Sequence, residues 1–452
     1  MLIFPKQIKL ITLKFVVLIS VKLVVTQSVN CPCESQSLCR INNFTNHREV
    51  TVITEKKSDF KKWTWEGIHN VIHVVNGTDS EDEADLMCYT HSKKANYGIL
   101  VKMPYSAEMT KSDFDTWVNN SIKRAKKMYA EIIAVDLLNI VGNCHMDEKH
   151  AQIAFNFTNA FADRVHFYNR KLSCILPWKP PCFGSNCDLT SQLIKNGTCD
   201  TIMTSPDSFI TDCDKPCRAK ATMPISNVVI GTDEYLYHSK VPVSMFYMGV
   251  PWHGYDYKCS KYLGNDEDVC MLPQKNNSAT CDFQSRKKMT FYDLDTIYHN
   301  YYEKNNIWSK LYNSNYFNVN VTNGGAHQIW YDSDLSLYEK YKFALDMKLR
   351  GVVIWTVDDL VNYDQGDAQE WHWLMHNMMV TGEHKEGADM SMALKAMAIG
   401  VGCFIGGTII GAIITTIIAK KQMKLMNRRY QPPFQKDEDD ETANFHEDDR
   451  YL

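Results

Sequence analysis

The chain has 452 residues, of which 44% are hydrophobic and 23% charged, and its net charge is −4. This length suits two or three average domains or one large α/β barrel. The small net charge, together with the lack of a basic stretch interleaved with aromatic residues, excludes nucleic acid as the expected partner.

The first 27 residues are typical of a signal peptide. Lys6 and Lys9 precede a mostly apolar stretch over residues 10–25, and polar residues follow it. Two lysines interrupt the apolar stretch, so an uncleaved anchor is the alternative interpretation. Both interpretations send the following chain into the secretory pathway.

Residues 28–385 show the pattern of an α/β barrel, because short β-rich apolar runs alternate with helical periodicity. Eight strands mostly separated by helices predict a (β/α)8 TIM barrel, whose functional residues lie at the C-terminal ends of the strands. The predicted strands are 50–54, 70–75, 98–103, 131–138, 173–177, 201–204, 243–250 and 351–357, and the clearest helices are 113–129, 147–168 and 335–348.

Cysteine content and glycosylation sequons support secretion. Fourteen of the fifteen cysteines lie between Cys31 and Cys281, an even number that favours disulfides in an oxidising compartment. The cysteine and histidine spacings of a zinc site are absent, so we expect no metal and no cofactor. Seven N-x-S/T sequons predict N-glycans at Asn43, Asn76, Asn119, Asn156, Asn196, Asn276 and Asn320.

A second apolar segment predicts a type I membrane anchor. Residues 396–419 contain no charge and are long enough to cross a bilayer, and a basic cluster follows them directly. Residues 386–395 are then juxtamembrane, and residues 420–452 form a disordered cytoplasmic tail. Two small-xxx-small pairs within the span could mediate a helix dimer, Gly402 with Gly406 and Gly407 with Gly411. We expect the cell surface or an endolysosomal membrane as the location.

Several segments of the barrel region are similar to a known family. The run 248–259, MGVPWHGYDYKC, resembles the seventh strand and following loop of the chitobiase-type enzymes of glycoside hydrolase family 18. The resemblance extends over roughly residues 30–375. Shorter matches occur in the same order, CPC at 31–33, LMCYTHS at 86–92, HQIWYD at 327–332 and LRGVVIW at 349–355.

This resemblance implies the cleavage of linkages between N-acetylglucosamine residues by a substrate-assisted mechanism. In that mechanism the acetamido oxygen of the sugar attacks the anomeric carbon, so the protein supplies no nucleophile. It supplies a Glu whose pKa is raised and which acts as the general acid. An Asp two residues before this Glu orients the acetamido group.

The chain departs from the family pattern where the acid is expected. The pattern D-x-x-D/N-x-D-x-E falls on Glu131, Ala134, Asp136 and Leu138, with Asn139 in the acid position if the register slips by one. Asp136 retains the orienting carboxylate, and Glu131 is a longer substitute for the first Asp. Neither a leucine nor an asparagine donates a proton at useful pH, and losing a general acid costs about 10²–10⁴-fold in rate.

Further departures affect the predicted sugar platform. The family's sixth strand ends in Met-x-Tyr-Asp, but residues 199–208 carry no Tyr and contain Pro206. His253 stands where the family has Tyr. Trp355, at the end of the last strand, is the expected stacking residue, and Trp252 and His253 are further candidates for substrate contact. We expect Tyr255 and Tyr257 to serve in packing.

Other carboxylates offer a relocated acid as an alternative. Asp147 and Glu148 read most simply as charges at a helix start. Asp358 and Asp359 follow Trp355 at a strand end and are closer to the expected substrate.

Three functions remain open. The leading hypothesis is a membrane-anchored pseudo-glycosidase that binds an N-acetylglucosamine-containing glycan or a protein ligand, a role argued by analogy with inactive members of the family. The second is an active glycosidase that uses Asp136 or a displaced carboxylate. The third is a structural surface protein whose pocket has filled in.

Overall fold

The computed structural model describes most of the region expected to form the barrel. All described residues belong to the first of the two units into which the chain divides, Met1–His384. The described residues are 31–42, 48–55, 60–75, 81–104, 109–141, 147–182, 189–209, 216–263, 269–274, 281–282, 286–297, 306–321, 325–360 and 375–376.

The predicted signal peptide, membrane span and tail lie outside the described residues. Within the described ranges, no helix combines the length and apolarity needed to cross a membrane. The anchor at residues 396–419 therefore stays a prediction.

Eight parallel strands close into a barrel in the order β1-β15-β7-β6-β5-β4-β3-β2. The (β/α)8 prediction is confirmed, because the first and last barrel strands pair in parallel, with Glu49 opposite Gly351 and Val52 opposite Ile354. The C-terminal ends of all eight strands meet at one end of the barrel, here called the barrel mouth. The strands are β1 Glu49–Thr54, β2 Asn70–Val74, β3 Asn96–Lys102, β4 Ile132–Asp136, β5 Lys171–Leu176, β6 Thr201–Thr204, β7 Phe246–Pro251 and β15 Gly351–Trp355.

Helices connect the strands and cover the barrel. The three predicted helices are present, and two have clear start signals: Thr110 and Asp113 form a capping box on α2, and Asp147 caps α4. Asp147 and Glu148 are therefore helix-start residues, as the sequence indicated. The helices are α1 Glu81–Ser92, α2 Lys111–Lys127, α3 Leu138–Val141, α4 Glu148–Phe167, α5 Leu189–Lys195, α6 Ile225–Asp233, α7 Phe291–Ile297 and α8 Asp334–Asp346.

The barrel interior is a packed apolar layer, here called the inner layer. Residues alternate along each strand, so one set points into the barrel while the other packs against the helices. Leu138 and Trp355 pack against the inner layer from the mouth and remain partly exposed. The inner layer comprises Ile53, Ile72, Val74, Leu100, Ile132, Ala134, Ile175, Met203, Tyr247 and Val353.

A hydrogen-bonded polar network occupies the end of the barrel opposite the mouth. The Tyr247 hydroxyl and the Arg350 guanidinium both donate to the Glu49 carboxylate. Asn70 Nδ2 donates to the same carboxylate over 3.0 Å. The barrel is therefore filled at this end, and a ligand can enter only from the mouth.

An inserted antiparallel sheet between β7 and β15 was not predicted. It has the strand order β11-β8-β14-β13-β12, and a two-stranded sheet, β9 with β10, lies in the same insertion. The segment HQIWYD at 327–332 lies mostly in β14, directly before helix α8. The inserted strands are β8 Gly254–Lys258, β9 Lys261–Leu263, β10 Val269–Met271, β11 Lys287–Met289, β12 Ile307–Ser309, β13 Ser314–Val321 and β14 Gly325–Tyr331.

Disulfides join several of these elements, as the cysteine content predicted. Cys182 is disulfide-bonded as well. The pairs with both partners described are Cys31–Cys39, Cys33–Cys88, Cys174–Cys199, Cys217–Cys281 and Cys259–Cys270.

Three of the seven predicted glycan acceptors have exposed side chains: Asn119 on α2, Asn156 on α4 and Asn196 just after α5. Asn320 lies in strand β13. Asn43, Asn76 and Asn276 lie outside the described residues. Glycosylation of all seven stays a prediction.

A buried ion pair connects the inserted sheet to α8. Lys340 Nζ lies 2.5 Å from Asp332 Oδ1 and 3.0 Å from Ser336 Oγ, and both charged side chains are 1% exposed. Asp332 follows β14, and Ser314 at the start of β13 donates to the same carboxylate oxygen. Burial lowers the pKa of Lys340, an effect that Asp332 opposes.

We expect Lys340→Met to lower the free energy of unfolding by about 3 kcal/mol, because it leaves the Asp332 carboxylate buried without its cation. Lys342→Met is the matched control, since Lys342 pairs with Asp346 on the exposed face of the same helix. Its loss should cost less than about 1 kcal/mol. Urea denaturation of both variants measures the difference, and equal costs would contradict the assignment.

Candidate functional site

The end of β4 brings Asp136 and Leu138 to the barrel mouth. Ile132 and Ala134 belong to the inner layer, so the alternation along the strand directs Asp136 inward as well. Leu138, two residues later, also faces inward and packs against the inner layer, whereas its neighbour Asn139 is exposed. Leu138, rather than Asn139, therefore continues the inward-facing series of β4.

Asp136 is the one carboxylate of the family pattern that lies at the mouth. Its Oδ1 accepts the Leu138 amide over 2.8 Å, which favours the ionised form. Burial raises the pKa of Asp136, while the Leu138 amide and the Lys102 ammonium oppose this effect. Lys102 ends the neighbouring strand β3 and pairs in register with Asp136.

Glu131 does not lie at the mouth. It precedes β4, roughly 16 Å along the strand from Asp136. Its carboxylate accepts the amides of Asn42 over 2.8 Å and Tyr97 over 2.9 Å, and it lies 3.2 Å from His91 Nε2. Glu131 is therefore engaged in contacts at the start of β4 and does not line the mouth, and its correspondence to the first Asp of the family pattern stays a prediction.

Trp355 supplies an aromatic surface at the mouth, and its stacking on a sugar stays a prediction. It ends β15 and its side chain is half-buried against the inner layer. Its carbonyl accepts the Trp252 amide over 3.0 Å and lies 2.9 Å from His253 Nδ1, which fixes the backbone. The indole Nε1 is buried and has no hydrogen-bond partner within the described part of the chain. This donor is therefore unsatisfied among the described residues.

Trp252 is a core residue, which corrects its assignment to substrate contact. Its side chain is 0% exposed, and its Nε1 donates to the Tyr341 hydroxyl over 2.9 Å. Trp252 follows Pro251, the residue opposite Trp355 in the register, and it points away from the mouth toward α8. Tyr255 and Tyr257 are also buried, as the sequence indicated.

A charged cluster lies where β6, β7 and β15 end. His253 Nε2 is 2.8 Å from Asp207 Oδ1, and the Tyr255 hydroxyl donates to the same oxygen over 2.7 Å. On its other side, His253 Nδ1 is 3.5 Å from Asp359 Oδ2. Lys288, on the inserted strand β11, lies 2.9 Å from that oxygen. The cluster therefore ties the inserted sheet to the barrel.

The cluster keeps its groups charged. Burial would lower the pKa of His253, but Asp207 and then Asp359 outweigh it and raise the pKa to about 9. Burial would raise the pKa of Asp359, but His253 and then Lys288 bring it to about 2. The pKa of Asp207 is held well below its usual range, against its burial, by the His253 charge and by hydrogen bonds from His253 and Tyr255.

His253 is placed behind the site surface and does not line it. Its side chain is 0% exposed, whereas that of Asp207 is 37% exposed. His253 therefore orients Asp207, and Asp207 is the group that can accept a hydrogen bond from a ligand. Sequence reasoning missed Asp207 and Lys288. The only sequence signal for Asp207 was its position directly after Pro206 at a strand end.

The two carboxylates proposed as relocated acids have structural partners. Asp358 accepts the Thr54 hydroxyl over 2.9 Å and the Glu55 amide over 2.6 Å, at the end of β1. Asp359 is buried, accepts the Thr356 amide over 2.7 Å and pairs with Lys288. The pKa of Asp359, about 2, opposes proton donation near neutral pH.

We expect the His253 cluster to stabilise the fold most below pH 6.5. The pKa of His253 is about 9 in the folded state and 6.5 in the unfolded state. The stabilisation from the charged His253 is therefore complete below pH 6.5 and is lost as the pH rises through 9. The difference in unfolding free energy between the wild type and His253→Gln should fall by about 2–3 kcal/mol over that range.

Thermal denaturation from pH 6 to 9.5 measures this difference. His150→Gln is the matched control, because its pair with Asp147 is also a His–Asp contact but is exposed. The His150 variant should lose less than about 1 kcal/mol of stability, because an exposed ion pair contributes little. A flat profile for His253→Gln would contradict a charged His253.

Comparisons with known proteins agree with this fold. Residues 203–359 match the family described as Glycosyl hydrolases family 18, a segment that includes Asp207, His253 and Trp355 but not β4. The chain is 25% identical over 334 residues to di-N-acetylchitobiase of Homo sapiens, covering 73% of this chain and 83% of the relative. It is 22% identical over 349 residues to probable di-N-acetylchitobiase 1 of Dictyostelium discoideum, covering 76% and 92%.

Solved structures show the same fold. The C-terminal domain of a putative chitinase from Desulfitobacterium hafniense superposes with a TM-score of 0.57 at 13% identity, covering 74% of this chain and 100% of that one. A class V chitinase mutant from Nicotiana tobaccum in complex with NAG4 gives 0.55 at 11% identity, covering 74% and 99%. The closed barrel, the matched segment from β6 to the residues after β15, and the two chitobiase relatives together support the resemblance of this chain to the chitobiase-like proteins of glycosyl hydrolases family 18.

Proposed function

We propose that this protein binds N-acetylglucosamine-containing glycans at the barrel mouth and has lost the hydrolytic step. The fold and its chitobiase and chitinase relatives support a role in handling glycans. The Nicotiana tobaccum chitinase is in complex with NAG4, which makes N-acetylglucosamine oligomers the first ligand to test.

The observation that carries the proposal is the hydrocarbon side chain of Leu138 at the mouth. Leu138 stands two residues after Asp136 and packs on the inner layer, where the family pattern requires a Glu. An alkoxide leaving group needs a proton in the transition state, and leucine has none to give. The nearby Asp359 is ionised and paired, which leaves it unsuited to this role.

Binding groups remain although the acid is missing. The indole of Trp355 presents a half-buried aromatic face and an Nε1 donor without a partner among the described residues. Asp136 and Asp207 add carboxylate acceptors at the ends of β4 and β6. Aromatic faces combined with a few fixed polar groups suit a sugar ring, which has both apolar C–H faces and hydroxyl edges.

A second candidate is an active glycosidase in which Asp136 serves as the acid. The observation in its favour is the raised pKa of Asp136, since a general acid must be protonated at working pH. Against it, Asp136 ends the strand two residues before the acid position, and its side chain is shorter than that of Glu. Its Oδ1 also accepts the Leu138 amide.

The proposal includes a membrane anchor at residues 396–419 with the barrel on the luminal or outer side. The uncharged span, the basic residues that follow it and the seven upstream sequons support this arrangement. The glycan site would then face the cell exterior or an endolysosomal lumen. Association through the glycine pairs of the span, or a protein ligand in place of a glycan, would extend the same proposal.

We expect the full-length protein in detergent to bind N,N′-diacetylchitobiose and longer N-acetylglucosamine oligomers from pH 4 to 7 without cleaving them. Leu138→Glu should introduce hydrolysis, since it restores an acid two residues after Asp136. Asn139→Glu is the matched control, because it adds the same carboxylate one residue further on at an exposed position. Product analysis measures hydrolysis, and calorimetry measures binding.

Hydrolysis by the wild-type protein that disappears in Asp136→Asn would establish the second candidate in place of the first. Absence of both binding and hydrolysis would favour a protein ligand or a structural role. Hydrolysis by neither carboxylate variant, with binding retained, would mean that further residues of the site have diverged.

The contribution of Trp355 is tested separately. Trp355→Ala should weaken oligosaccharide binding roughly tenfold, since an aromatic contact worth about 1.5 kcal/mol is removed. Trp355→Phe keeps an aromatic ring but removes the Nε1 donor. Its loss of oligosaccharide affinity should be smaller and measures the contribution of a hydrogen bond from Nε1. Unchanged binding by Trp355→Ala would place the ligand elsewhere.

A further inference from the structure

We infer a second binding site, for a sulfated oligosaccharide, in a basic groove at the end of the barrel opposite the mouth. The groove lies between α2 and α4 and has a volume of about 430 Å3. It is separate from the residues of the barrel mouth, and its existence does not rest on the proposed function. The lining residues are Val118, Asn119, Ile122, Lys123, Lys126, Lys127, Arg164 and Tyr168.

The location follows from the connections of the two helices. Helix α2 ends at Lys127 and β4 begins at Ile132, while α4 ends at Phe167 and β5 begins at Lys171. These short connections place the C-terminal ends of both helices beside the starts of the strands. The mouth, formed by the ends of the strands, is on the other side of the barrel.

The walls of the groove are rigid. The helices pack through ring pairs, Phe114 with Phe157 at 4.5 Å and Trp117 with Phe161 at 4.7 Å between centroids. Val118 and Ile122 form an apolar floor and are 3% and 7% exposed. A ligand therefore meets a preformed concave surface.

The groove carries four cations: Lys123, Lys126, Lys127 and Arg164. No carboxylate partner of Lys123, Lys126 or Arg164 occurs within the described ranges, and Lys126 lies 3.5 Å over the Tyr168 ring. All four cationic side chains are exposed. They can therefore contact a ligand without disturbing the core.

Helix dipoles do not account for this charge. Cations at helix C-termini are stabilising, but two helix ends supply only about −1 elementary charge against four positive side chains. The acid nearest in sequence to Arg164 is Asp163, which is exposed and does not line the groove. Asp200 pairs with His166 at 2.9 Å. Even with Asp163 counted, Lys123, Lys126 and Arg164 alone leave about one positive charge uncompensated.

The chemistry of the ligand follows from this charge and from the compartment. Five described disulfides indicate an oxidising compartment, where a polyanion is expected to be a sulfated glycan rather than a nucleic acid. A concave groove with an apolar floor suits a sugar chain with spaced anionic groups. A flat lipid surface cannot reach that floor.

The test is the affinity of the full-length protein for a heparin-derived hexasaccharide, measured at low and high ionic strength. We expect binding that weakens with salt and that falls about tenfold in Lys126→Ala/Arg164→Ala. The matched control is Lys111→Ala/Lys149→Ala, which removes two exposed lysines from the same helices. These positions lie 15 residues earlier on each helix, about 22 Å away, and binding should not change.

Further ligands test whether the sulfate groups or the sugar rings are responsible for binding in the groove. A desulfated hexasaccharide should bind much more weakly, and an N-acetylglucosamine hexamer should be insensitive to Lys126→Ala/Arg164→Ala. Equal heparin affinity in the groove variant and the control would overturn the inference, as would binding to phosphatidylserine vesicles without binding to heparin. Failure of sugar binding at the mouth leaves this result unaffected.

Asn119 provides an additional check because it lines the groove and is a predicted glycan acceptor. A glycan on Asn119 would rise directly beside the four cations. We expect both the wild type and Asn119→Gln to bind heparin. Binding by Asn119→Gln alone would mean that the groove holds the protein's own glycan, and it would overturn the assignment to a sulfated partner.

Discussion

Closure of the parallel barrel is the constraint on which the rest of the structure depends. Every pair of neighbouring barrel strands is parallel and β1 pairs with β15, so all eight C-terminal ends meet at one mouth. The period of two along each strand then decides which side chains enter the barrel. Ile132, Ala134 and Asp136 form one such series, and Leu138 continues it at the mouth.

The inserted sheet is held to the barrel by two kinds of charged contact. Lys340 and Asp332 are fully buried and are fixed by hydroxyl donors. The His253 cluster lies at the mouth, where Asp207 remains partly exposed while His253 is buried behind it. The Lys340–Asp332 pair therefore contributes only to the attachment of the sheet. The His253 cluster also orients Asp207, a carboxylate that a ligand can reach.

The sequence predicted the barrel and singled out Leu138 at the end of β4, but it did not predict the charged cluster at the mouth. Repeated apolar runs and the family pattern were sufficient to locate the strands and Leu138. Asp207 and His253 are 46 residues apart, and Lys288 belongs to an inserted strand whose alternation was not recognised. Trp252 was assigned to the wrong side of its strand end, because adjacent residues at a turn point in opposite directions.

The sequence by itself determined the alternation of strands and helices, the cysteine-rich composition and the absence of a carboxylate at position 138, because these are local properties of the chain. Only the tertiary structure decided which polar groups share a site. Side chains of Asp207, His253 and Asp359 meet because three separate strands end at one mouth. The basic groove likewise requires α2 and α4 to pack side by side, a long-range contact that no local pattern encodes.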